Sequence, residues 1–109
     1  MKKSSIYVIG EADGTMMKIG ISADPSTRLR QLQTGYPRPL VVHYCDELDA
    51  YRARIIEGFI HSTIGYKRTK GEWFEVSAQE AISEVQYAIM RWESDHTLVA
   101  VHKHKLRRI

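Results

Sequence analysis

The chain has a single cysteine, Cys45, which excludes an intrachain disulfide and a zinc cluster built from cysteines. It also lacks long apolar runs. No stretch reaches the about 18 residues of a membrane-spanning helix, and no apolar segment follows Lys2-Lys3 as it would in a secretion leader. The expectation is a cytoplasmic setting with no membrane partner. Proline is scarce, at three residues, and no repeat or low-complexity tract interrupts the sequence. Nor does charge of one sign dominate: 16 Lys and Arg against 13 Asp and Glu leave a net charge of only +3.

What is present suits a globular domain. The 109 residues are 43% hydrophobic and 27% charged, enough for one modest core. The expected organisation is a single domain over 1–97 and a basic tail over 98–109. The positive charge is clustered although the total is small. Lys67, Arg68 and Lys70 form one group. Lys103, Lys105, Arg107 and Arg108 form another, with His102 and His104 interleaved. Clustered base suits a polyanionic partner, and a solubilising surface with a solvated tail is the plainer alternative.

The pattern along the chain predicts an α+β fold in the order ββαβαβα. Residues 4–9 and 16–22 read as strands joined by a turn over Ala12-Asp13-Gly14-Thr15, with Gly14 free to adopt positive φ. Asp24-Pro25 opens a helix that runs to about Gln33 and stops at Gly35. Residues 40–45 form a third strand, and a second helix covers about 48–64. Trp73 to Val76 is a short strand or extended segment. Ser77-Ala-Gln-Glu80 has the form of a capping box and starts a third helix, to about Asp95, with an apolar stripe through Ala81, Val85 and Trp92. Leu98 to Val101 reads as a last strand.

Several side chains are placed where chemistry is possible. On the second helix, Ala50, Ala53, Ile60 and Ile64 all fall within roughly 60° of Glu57, so this carboxylate points into the apolar face or along its border. A buried carboxylate needs a cation. That cation is either a neighbour on the helix, His61 or Arg54, or a divalent metal, and Mg²⁺ needs only one or two carboxylates. On the first helix Arg28 stands near Leu32 and Arg30 lies well round the other side. A guanidinium there serves a phosphodiester or simply snorkels. Tyr7 alternates with Ile6 and Val8, and Lys18 lies nearby on the returning strand. Packing and solvent exposure are the ordinary readings of these two. His102-Lys103-His104 is too short for more than weak metal chelation.

Taken in order, these fragments resemble the GIY-YIG nuclease superfamily in its compact phage- and bacterial-type branch. Ser5-Ile6-Tyr7 stands where that family has Gly-Ile-Tyr, and Lys18-Ile19-Gly20 where it has Tyr-Ile-Gly. Asp24 to Arg28 resembles the run leading to its arginine. Glu57 with His61 resembles its Glu-x-x-x-His, and Gly71-Glu72-Trp73-Phe74-Glu75 its closing strand. The resemblance implies a small three-stranded antiparallel sheet flanked by about three helices. It also implies hydrolysis of DNA phosphodiester bonds with Mg²⁺ or Mn²⁺. By that resemblance Glu57 holds the metal, Arg28 binds the scissile phosphate and Tyr7 orients water. Lys18 stands in place of the second signature tyrosine, and His61 is a further catalytic candidate. Arg30 joins the two basic groups as a candidate DNA contact. The readings left open are a metal-dependent endonuclease, a non-catalytic nucleic-acid-binding module on the same fold, and a regulatory or assembly protein.

Overall fold

The computed structural model describes residues 2–69 and 73–94. Strand β1 (Lys3–Glu11) turns into β2 (Met16–Ser22), followed by helix α1 (Pro25–Gln33), β3 (Leu40–Asp49) and α2 (Ala50–Thr63). A 3-10 turn (Gly65–Lys67) leads to β4 (Phe74–Glu75) and helix α3 (Ala78–Ser94). This is the expected order ββαβαβα. The expected strand at Leu98 to Val101, the tail and the 97/98 boundary lie outside the described residues, as do Lys70, Gly71 and Glu72.

The sheet is antiparallel with four strands in the order β3-β1-β2-β4, not three as the resemblance implied. The fourth strand is two residues long. Phe74 is fully buried, and sinking it into the core brings Glu75 alongside Met16, while the Val76 amide donates to the Thr15 carbonyl at 2.7 Å. Strand β3 also runs further than expected. Asp46 to Asp49 read as polar, yet they pair with Ile6 to Lys3, and Leu48 is buried. Helix α2 therefore starts at Ala50, with Asp49 as its cap accepting from the Arg52 amide at 2.9 Å.

Strand β1 is central, and both of its faces are covered. Ile6 and Val8, with Met17 and Ile19 of β2, meet Ala53, Ile56 and Ile60 of α2 and Ala81, Val85 and Ala88 of α3. Tyr7, Ile9 and Leu40 face the other way, against Leu29 and Leu32 of α1, with Tyr36 and Trp73 at the margin. Alternation along β1 thus separates a large core from a small one. The register shifts between Val8 and Ile9, where β3 carries His43 as an extra residue. That histidine donates from Nε2 to the Glu11 carbonyl at 3.0 Å.

Two helix starts follow the sequence closely. Asp24 caps α1, accepting from the Thr27 amide at 3.3 Å and the Thr27 hydroxyl at 2.8 Å. These bonds hold its carboxyl below the usual range, the hydroxyl contributing most. Ser77 accepts from the Glu80 amide at 3.0 Å, but the Glu80 carboxylate turns to Lys67 at 3.1 Å instead of closing the capping box. Gly14 serves space, not positive φ: a Cβ there would collide with the Glu11 carboxylate. Among the described residues no helix is long and apolar enough to cross a membrane.

Candidate functional site

The hairpin register pairs Tyr7 with Gly20 and Ile9 with Lys18. All four therefore stand on the α1 face of the sheet. The Tyr7 ring is 2% exposed and lies across Gly20, where a Cβ would stand 2.5 Å from the tyrosine hydroxyl. The glycine thus lets the phenol lie flat against β2, with its hydroxyl toward α1.

Arg28 reaches that hydroxyl from α1. Its Nε donates to Tyr7 Oη at 3.4 Å, and Nη1 donates to Gln31 Oε1 at 3.4 Å. The side chain is half-buried, and among the described residues it has no carboxylate partner. A guanidinium carries five N–H donors, so most of them point elsewhere than Tyr7 and Gln31. Arg30, by contrast, is exposed on the outer side of α1 and donates to the Thr27 hydroxyl at 3.1 Å.

Lys18 is half-buried, with its ammonium 5.9 Å from the centre of the Trp73 ring. Trp73 stacks in turn on Tyr36, with centroids 4.9 Å apart and an interplanar angle of 30°. Tyr36 donates its hydroxyl to the Glu11 carboxylate at 2.8 Å, and Gln33 donates to the Tyr36 carbonyl at 3.3 Å. Burial and the Glu11 bond push the Tyr36 phenol above its ordinary range. This aromatic margin was not foreseen as part of the site. Its sequence sign is Trp73 within the Gly71-Glu72-Trp73-Phe74-Glu75 run beside a charge-rich loop.

On the opposite side of β2 stands His61. Strand β4 covers β2 only at Met16 and Met17, so the edge beyond is open to α2. His61 Nε2 donates to the Ile19 carbonyl at 2.7 Å, while Arg68 Nη2 donates to Nδ1 at 3.4 Å. Both ring nitrogens are thus engaged with the protein. His61 acts here by fixing α2 and the Arg68 loop against the edge of β2.

Glu57 lies one turn before His61. The buried residues of α2 are Ala53, Ile56 and Ile60, centred roughly 60° from Glu57. Of the two placements expected, the structure selects the border: Glu57 is half-buried and shares the His61 side of the helix. Among the described residues no group of three or more His, Cys, Asp or Glu side chains is gathered as a metal site.

The basic groups divide. Lys67 is spent on Glu80, whose hydrogen bond raises its ammonium pKa. Arg68 lies over the Phe74 ring at 5.5 Å and reaches His61. Lys70, Lys103, Lys105, Arg107 and Arg108 lie outside the described residues. The structure therefore brings Tyr7, Arg28 and Lys18 to one sheet face and puts His61 and Glu57 together on α2. It leaves Arg30 on an outer surface.

The sequence profile of the T5orf172 domain matches residues 4–93, from within β1 to within α3. The chain belongs to the T5orf172 domain family. No curated protein and no solved structure matches it. The T5orf172 match includes both strands of the Tyr7–Gly20 pair, Arg28 and the Glu57–His61 turn. It stops short of the basic tail.

Proposed function

We propose that the Tyr7–Arg28 face binds the phosphodiester backbone of DNA, in a nucleic-acid-binding module with a GIY-YIG-like fold. Arg28 carries this reading. Its guanidinium is held by the Tyr7 hydroxyl and Gln31, half-buried, without a carboxylate partner among the described residues. A fork of donors so fixed is suited to phosphate oxygens. Lys18 adds a second cation on the same sheet face. The association of T5orf172 domains with GIY-YIG nuclease domains supports DNA as the polyanion.

A second reading is metal-dependent hydrolysis of that same phosphodiester. It is favoured by Glu57, a half-buried carboxylate on the side of α2 that His61 ties to β2 between Lys18 and Gly20. One carboxylate fits Mg²⁺ or Mn²⁺, whose remaining positions are filled by water and phosphate oxygens. Glu57 would hold the ion, which would polarise a phosphoryl oxygen. Arg28 would bind the phosphate and Tyr7 would orient its neighbours.

Two assays separate these readings. Equilibrium binding of DNA by the wild type and by Arg28→Ala and Lys18→Ala tests the first, with weaker binding expected in both variants. Nicking of supercoiled plasmid with Mg²⁺ or Mn²⁺ tests the second. Cleavage by the wild type that vanishes in Glu57→Ala, with binding retained, establishes hydrolysis. Binding without nicking leaves the binding module. Equal binding by the wild type and Arg28→Ala refutes the proposed face.

A further inference from the structure

We infer that Tyr66 is a stacking platform for an unpaired base of a DNA strand whose backbone runs over the Tyr7–Arg28 face; this rests on the nucleic-acid reading above. Tyr66 is 81% exposed, the largest value among the exposed large apolar and aromatic side chains described. A ring so exposed contributes little to the core, so packing does not account for it.

Its backbone is nonetheless well fixed. The 3-10 turn is closed by the Lys67 amide donating to the Ile64 carbonyl at 2.9 Å and the Arg68 amide donating to the Gly65 carbonyl at 3.0 Å. The Lys67–Glu80 ion pair fastens the turn to α3, and the Lys67 ammonium lies 5.7 Å from the centre of the Tyr66 ring. A ring on a fixed turn loses little conformational freedom when a ligand covers it.

The turn is also tied to the candidate site. Arg68 reaches His61 at the open edge of β2. Thr69 donates its amide to the Trp73 carbonyl at 2.6 Å and its hydroxyl at 3.0 Å, and the Trp73 ring lies beside Lys18. A chain of contacts thus runs from Tyr66 through Thr69 and Trp73 to Lys18 on the sheet face. Aromatic rings set beside cations are how proteins hold single strands, with the base on the ring and the phosphates on the charges. Bases inside a duplex are already stacked on one another. Only an unpaired base, an end or a flipped nucleotide can use Tyr66, and the surface therefore favours single-stranded over continuous duplex DNA.

The test is fluorescence anisotropy with three probes: a short oligo(dT), an abasic strand of the same length, and a duplex closed at both ends by non-nucleotide linkers. The proteins are the wild type, Tyr66→Ala, Tyr66→Phe and Arg28→Ala. Tyr66→Ala is expected to lose about tenfold on oligo(dT) and little on the abasic strand or the duplex, with Tyr66→Phe close to wild type. An equal loss on oligo(dT) and the abasic strand, or no loss at all, overturns the stacking role. Binding that Arg28→Ala weakens and Tyr66→Ala leaves untouched overturns the stacking role alone. A wild type that binds none of the probes overturns the phosphate-binding reading and this inference with it.

Discussion

The Tyr7 hydroxyl occupies the space that a Cβ at Gly20 would need, at a separation of 2.5 Å. The glycine of Lys18-Ile19-Gly20 is therefore explained by the tyrosine of Ser5-Ile6-Tyr7. One lies across the other, and the phenol can then meet Arg28. Two short segments that are separate in the sequence form one packed unit in the hairpin.

That unit makes Gly20→Ala a sharp perturbation. The new methyl displaces the Tyr7 ring within a small, closed core, and overpacking of this kind costs about 1–3 kcal/mol. The Tyr7–Arg28 hydrogen bond is expected to break, so DNA binding falls with stability. Gly58→Ala is the matched control. It lies inside α2 with nothing within 4 Å of an added Cβ, and is expected to stabilise by about 0.5–1 kcal/mol. Urea denaturation of both variants checks the pair. Similar stabilities for Gly20→Ala and the wild type would show that Tyr7 is not held as described.

His61 makes a different prediction. The Ile19 residue is 1% exposed, and its carbonyl accepts from the His61 ring beyond the last β4 pair. His61→Ala leaves that carbonyl without its partner, at a cost of about 1–3 kcal/mol. Arg68→Ala removes a long, exposed bond to the same ring and a contact over the Phe74 ring, and is expected to cost less than His61→Ala. Chemical denaturation that ranks the two variants the other way would contradict the anchoring role of His61.

The pH dependence has a definite sign on each side. Burial and the Glu11 hydrogen bond raise the Tyr36 phenol above its ordinary value of 10.0. The fold favours the neutral phenol, so this contribution is complete below about pH 10 and fades as pH rises through the raised value. Tyr36→Phe should therefore flatten the alkaline fall in melting temperature. On the acid side, hydrogen bonds from Thr27 to Asp24 and from the Arg52 amide to Asp49 lower both carboxyls from 3.8. Their contribution is complete above that value and fades as pH falls through the lowered ones. Melting curves followed by circular dichroism across both ranges test these signs.

Much of this was legible in the sequence, because caps and turns punctuate the chain. Asp24-Pro25, Ser77 and the Ala12–Thr15 turn set the element order, and helical spacing put Leu29 and Leu32 toward the sheet with Arg30 away from it. The placement of Glu57 was legible only to within one face. Helix geometry allowed core or border, and which of Ile56 and Ala50 is buried decided it. The end of β3 was hidden because Asp46, Glu47 and Asp49 look like loop residues, while their backbone pairing with β1 depends on a partner strand. The Tyr36–Trp73 stack and the His61–Ile19 bond could not be read at all. Each depends on where β4 ends, and β4 is fixed by the burial of Phe74.

The most direct test of the phosphate-binding face is the salt dependence of DNA affinity in Arg28→Ala and Arg28→Lys. Each phosphate contact contributes about one to the slope of log K against log salt concentration. Arg28→Ala should weaken binding and reduce the magnitude of the slope by about one. Arg28→Lys should keep the slope but bind less tightly, because the point charge remains while the fork of donors is lost. An Arg28→Ala protein that is folded and matches the wild type in both affinity and slope would contradict the account.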